Sequence, residues 1–125
     1  MHGNLATMTD SMTHAVTDAM TDDSPRLTSL LALLNLEPDD GFILYGLAQE
    51  CQKLSRFAQA IEFYDRAIAA DPKQCYAFFH KGKALEQAGR AAEVAAVLRD
   101  GLKRANLVGD RHAASELEAY LDDIA

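Results

Sequence analysis

GFILYGLAQECQKLSRFAQAIEFYDRAIAADPKQ, residues 41–74, decides how this chain folds. The stretch divides at Leu54-Ser55-Arg56 into two apolar-striped halves. In the first half Leu44, Leu47, Ala48, Cys51 and Leu54 are spaced 3, 1, 3 and 3, the period of one helical face. In the second half Ala60, Ile61, Tyr64, Ala67 and Ile68 make a second such face. Asp71-Pro72 stops that helix, because proline can neither donate to the helical ladder nor leave the residue before it helical. Glu37-Pro38 stands 34 residues earlier. Two acid-proline steps one helix pair apart mark a stacked helical repeat.

The same pattern extends to both sides. Downstream, residues 75–108 read as a second pair. Its first helix spans about Cys75 to Ala88, with Phe78, Gly82, Leu85 and Ala88 on the apolar stripe. Gly89 makes the turn, where a left-handed backbone costs a glycine little. The partner helix spans about Ala91 to Ala105, with Val94, Val97, Leu98, Gly101 and Leu102 inward. Upstream, Ser24-Pro25 opens a helix with serine as N-cap and proline in the first turn. Leu27, Leu30, Leu31, Leu33, Leu34 and Leu36 make that helix so apolar that neighbours are expected to cover it. Gly109-Asp110 breaks the chain once more. A last helix, about Asp110 to Asp123, carries Ala113, Leu117, Tyr120, Leu121 and Ile124 on one side and Glu116, Glu118, Asp122 and Asp123 on others, which suits a terminal cap. Small residues at Ala48, Ala60, Ala67 and Gly82 mark where helices approach to about 8–10 Å.

Residues 1–23 differ in kind. They are rich in Thr, Asp and Met and repeat a four-residue unit, MTDS-MTHA-VTDA-MTDD, over residues 8–23. Thr and Asp are poor helix formers, and the segment reads as a disordered, low-complexity tail. Two alternatives are a tethered segment that folds onto the rest of the chain, and an upstream extension if translation begins at Met20.

The composition narrows the function classes. Of the 125 residues 49% are hydrophobic and 25% charged, enough for one domain with a core. No run of about 18 apolar residues is present, and the N-terminus lacks a secretory pattern, so no membrane partner and a cytoplasmic location are expected. Cys51 and Cys75 fall on different helices and read as two buried thiols rather than a disulfide. The formal charge is −7, of which Asp10, Asp18, Asp22 and Asp23 supply −4 and residues 24–125 the remaining −3. Without a clustered Lys/Arg face, nucleic acid is not an expected partner. His2, His14, His80 and His112 have no partner histidine at ligand spacing. His14 with Asp10 and Asp18 has i±4 geometry but lies in the tail. No phosphate-binding glycine loop or nucleophile–histidine pair is present. No catalytic residue, metal or cofactor is therefore assigned.

Aligned on Pro72, the chain resembles the tetratricopeptide repeat family. Leu44 falls on the large first position of that pattern, Leu47-Ala48 on its Leu-Gly pair, Cys51 on its Tyr and Phe57 on its turn aromatic. Ala60, Tyr64 and Ala67 fall on the small-large-small signature of the second helix. In residues 75–108, Phe78, Gly82, Leu85 and Gly89 match. Lys81 replaces the usual Leu, Ala91 the aromatic, Val94 the small Ala and Asn106 the proline. The whole is similar to short stand-alone bacterial proteins of this type. The resemblance implies an all-α, right-handed α-α superhelix: a partial repeat helix (24–40), two repeats (41–74 and 75–108) and a capping helix (109–125).

Such a stack puts the first helix of each pair on a concave wall. The exposed stripe of the first is Phe42, Tyr45, Gln49 and Gln52; that of the second is Tyr76, Phe79, Lys83 and Glu86. With His80 these residues form the candidate peptide-binding groove. The positions with which some family members grip a C-terminal carboxylate hold Tyr45, Gln49, His80 and Lys83, so that clamp is not expected here. The function read from the sequence is a non-enzymatic interaction module or scaffold that binds a peptide or helix of another protein. The alternatives are a homodimer through the leucine-rich helix, or a small chaperone or adaptor for a secreted or assembled client.

Overall fold

A computed structural model describes residues 24–125; the tail reading of residues 1–23, with its His14 constellation, lies outside the described residues. The described chain forms six α-helices and one short 3-10 turn: α1 (Pro25–Leu36), α2 (Gly41–Lys53), α3 (Phe57–Ala70), α4 (Tyr76–Gln87), the 3-10 turn Ala91–Glu93, α5 (Val94–Val108) and α6 (Arg111–Ile124). No strand occurs among the described residues.

Local chemistry sets the helix ends. Ser24 Oγ accepts from the Leu27 N–H at 3.0 Å and starts α1. Asp40 Oδ1 accepts from the N–H groups of Phe42 (2.9 Å) and Ile43 (3.0 Å) and starts α2. Asp110 Oδ1 accepts from the Ala113 N–H at 3.0 Å and starts α6. Each cap satisfies a donor that has no partner within its own helix. The two turns inside the helix pairs are built alike. Ser55 (φ 61°) and Gly89 (φ 78°), 34 positions apart, are both left-handed. The following amides, Arg56 and Arg90, donate to Cys51 and Leu85 carbonyls at 2.8 Å. With the Ser55 and Gly89 N–H groups donating to the Gln52 and Glu86 carbonyls at 3.0 Å, these bonds close both helix ends as Schellman motifs.

Every helix packs on its neighbours in sequence, and α2 meets α4 as α4 meets α6. So α2, α4 and α6 share one wall, backed by α1, α3 and α5. The core runs through the whole stack, from Leu27 and Leu31 through Leu44, Leu47, Tyr64 and Leu85 to Leu98 and Leu117. Close approach is tightest at Gly101, where a Cβ would lie 2.5 Å from Phe78 Cβ.

α1 is held by more than leucine. Its N-cap Ser24 is buried and donates from Oγ to Glu50 Oε2 of α2 at 2.9 Å. Arg26 Nε stands 3.3 Å and Lys53 Nζ 3.5 Å from Glu50 Oε1. Glu50 is thus a buried carboxylate satisfied by a hydroxyl and two exposed cations, which offsets the cost of taking its charge out of water.

Three expectations are corrected. The leucine helix is covered on one side only: Leu27, Leu31 and Leu34 are buried, whereas Leu33 and Leu36 are 47% and 76% exposed. No described helix precedes α1 to cover them. The helix placed at Ala91–Ala105 begins as a 3-10 turn and continues to Val108, because Asn106 stands where a proline would have stopped it and Gly109 (φ 76°) ends it instead. Ala88, placed on the core stripe, is exposed at the C-cap of α4. Conversely Phe63, missed in the sequence, is buried, with the Arg66 guanidinium 5.6 Å from its ring centre.

Candidate functional site

Helical spacing brings the candidate residues onto the shared wall. On α2, Phe42, Tyr45, Gln49 and Gln52 follow one stripe; on α4, Tyr76, Phe79, Lys83 and Glu86 do so. The centre is an aromatic cluster around His80. Its ring stacks on Tyr64 of α3 (centroids 6.4 Å, 16° apart) and meets Tyr45 edge-on at 6.0 Å and Phe79 at 5.4 Å. Such edge-to-face contacts lock the rings beyond what burial alone does. Burial lowers the pKa of His80 and Lys83 lowers it further, so the imidazole is neutral at pH 7. Burial first, then Tyr76, raises that of Tyr45.

The four aromatics do not form one flat floor. Phe42 is 81% exposed. It borders a depression of roughly 440 Å³ that Tyr45 and Tyr76 also line. Tyr76 reaches Phe79 at 6.5 Å and, tilted by 52°, the exposed His112 of α6 at 6.0 Å. Phe79 is half-buried against Tyr120 at 5.3 Å.

A polar relay runs beside the rings. The Tyr64 hydroxyl donates to Gln52 Oε1 at 2.6 Å, and Gln52 Nε2 donates to Gln87 Oε1 at 2.6 Å. The relay ties α3, α2 and α4 together and leaves the Gln87 amide nitrogen as its last donor. Lys83 Nζ sits 4.3 Å from the Tyr120 ring centre and 5.7 Å from that of Phe79. Glu86 accepts from the Tyr120 hydroxyl. Gln49, Gln52, Lys83 and Gln87 with Tyr64, Phe79 and His80 enclose an open groove of roughly 490 Å³ between α2 and α4.

Sequence reasoning missed four participants. Tyr64 was assigned to the core, yet its hydroxyl starts the relay. Gln87 lies one helical turn beyond Lys83 and was not singled out. On α6, Glu116 and Asp123 line a second groove of roughly 290 Å³ with Phe79 and Lys83. The signal for these two was an offset: Glu116, Ala119 and Asp123 stand 36 positions after His80, Lys83 and Gln87, not 34. The buried side of α6 obeys the same offset, Ala113 and Tyr120 following Ala77 and Ala84.

Among the described residues no group of three or more His, Cys, Asp or Glu is arranged to hold a metal ion. Cys51 and Cys75 are buried and not joined in a disulfide. Burial pushes the Cys51 thiol up to about 12, with Arg56 opposing and Glu50 adding; burial also raises Cys75. Neither has the low pKa of a nucleophilic cysteine. No described helix is long and apolar enough to cross a membrane.

Helix pairs stacked so that alternate helices share one wall define an all-α helical-repeat protein. Residues 42–74 match the family model described as the tetratricopeptide repeat, which supports membership of that family. Repeats of this kind mediate protein–protein interaction. No curated protein matches the chain.

Proposed function

We propose that the chain is a binding module or scaffold, not an enzyme, and that it takes a segment of another protein against the wall of α2, α4 and α6. Phe42, Tyr45, Gln49, Gln52, Tyr76, Phe79, His80, Lys83 and Glu86 are its contact residues. One observation carries this reading: Phe42, a large aromatic 81% exposed at the rim of a depression shared with two tyrosines. Aromatics in such settings are frequent anchors of interfaces. The amides of Gln49 and Gln87 supply hydrogen bonds for a backbone laid across them. Two buried cysteines that form no disulfide suit a reducing, cytoplasmic setting.

Site-specific photocrosslinking tests this. A photoreactive residue in place of Phe42 or Gln49 gives covalent adducts with a discrete partner, and the same group at Glu62 or Asp100, exposed on the backing helices α3 and α5, does not. Adducts from Glu62 and none from Phe42 would overturn the assignment.

A second reading rests on Leu33 and Leu36, exposed at 47% and 76% on one end of the stack. A symmetric homodimer would cover them. Sedimentation across a hundredfold concentration range separates the two: a constant monomer mass eliminates the dimer.

A further inference from the structure

The wall carries two successive grooves of opposite charge. The first, between α2 and α4, is lined by no carboxylate and by two lysines, Lys83 and Lys53, of which Lys53 also stands 3.5 Å from Glu50. Its fixed polar groups end in donors, since the relay from Tyr64 through Gln52 consumes the Gln87 oxygen and leaves the nitrogen. The second groove, between α4 and α6, is lined by Glu116 and Asp123 against the single shared Lys83. These are equivalent places. Glu116 and Asp123 occupy on α6 the positions that His80 and Gln87 occupy on α4 (116 − 80 = 36; 123 − 87 = 36). One step along the wall therefore exchanges a neutral imidazole and an amide for two carboxylates. Phe79 and Lys83 line both grooves, so an apolar surface lies between the charged ends. Neighbouring packed helices stand about 8–10 Å apart, and an extended chain advances about 3.3 Å per residue. One step of the wall thus spans about three residues.

If the wall of α2, α4 and α6 takes a partner segment, as proposed above, we infer that the segment is an extended peptide with an acidic side chain over the α2–α4 groove, a basic side chain about three residues away over the α4–α6 groove, and an apolar residue between them on Phe79. Complementary charge fixes partner choice and register more than it adds raw affinity. The wall thereby also fixes the direction in which the segment lies. A peptide with two acidic or two basic residues at those places meets one repulsive groove, which is how such a surface rejects wrong partners.

The test is selection of a phage-displayed library of random 12-residue peptides on the full chain, repeated on the double variant Glu116→Lys/Asp123→Lys and on Lys83→Glu. All three positions are exposed, and thermal melts check that the variants fold. Selected peptides are expected to share an acidic and a basic residue about three apart, flanking an apolar one. On the double variant the basic place turns acidic. On Lys83→Glu the acidic place turns basic. A synthetic peptide of the consensus loses about fivefold in affinity for the double variant, the scale of an exposed ion pair. Enriched peptides that lack the paired charges, or that stay the same on both variants, overturn this inference and leave the groove standing. If selection enriches nothing, or if the enriched peptides bind a Phe42→Ala, Phe79→Ala chain as well as the original, the groove itself is wrong and the inference falls with it.

Discussion

At the residue scale the two pair-internal turns make a controlled comparison. Ser55 and Gly89 hold the same left-handed conformation at the same place in successive repeats, but only glycine does so without a steric cost. A non-glycine residue there gives up about 1–2 kcal/mol. Ser55→Gly is therefore expected to raise stability by about 0.5–1 kcal/mol, the gain being trimmed by the freedom glycine has in the unfolded chain, and Gly89→Ala to lower it by about 1 kcal/mol. Denaturant midpoints measure both; changes of the same sign would contradict the shared geometry. His80 gives a pH signature. Its folded pKa lies below its ordinary value, chiefly from burial. As pH falls through about 6.5 the unfolded chain takes the proton first, so stability is full above that pH and is lost below it until folded His80 titrates. Stability measured at pH 7.5 and 5.5 should fall by more in the original chain than in His80→Gln; equal losses would count against a half-buried neutral imidazole.

At the scale of elements, most of the helices were legible because apolar periodicity and proline, serine and aspartate punctuation are local signals. Leu44 through Cys51 and Ala60 through Ala67 lie on core faces by spacing alone. What was not legible depends on neighbours far away in sequence. Glu50 is an ordinary helix-surface residue until Ser24, 26 positions earlier, arrives beside it. Leu33 and Leu36 look like core until no described helix covers them. The relay from Tyr64 to Gln87 joins three helices and has no pattern in one of them. Glu50→Ala removes the acceptor that ties Ser24 and Arg26 to α2, at about 1–3 kcal/mol, and α1 amides should then exchange hydrogen fastest among the helices. Uniform acceleration across α1–α6 would show that α1 is not separately anchored. Ala60 is fully buried between packed helices and Gln59 is not. Ala60→Leu should cost about 1–3 kcal/mol and Gln59→Leu much less, read from thermal melts; equal melting temperatures would contradict the close packing of α3.

At the scale of the whole molecule, the stack turns a one-dimensional repeat into a surface. Because α2, α4 and α6 recur on one side, side chains up to 81 positions apart, from Phe42 to Asp123, come to line one wall. The groove residues of α2 and α4 follow from a 34-residue period. Those of α6 were hidden by the shift to 36, which the longer α5 and the Gly109 turn introduce. A partner segment is proposed to lie along this wall. Amide chemical-shift mapping of the isotope-labelled full chain, titrated with a peptide selected on it, tests that most directly. Shifts are expected to gather on Gln49, Gln52, Phe79, Lys83, Glu116 and Ala119. Shifts gathered instead on α1, α3 and α5 would contradict it.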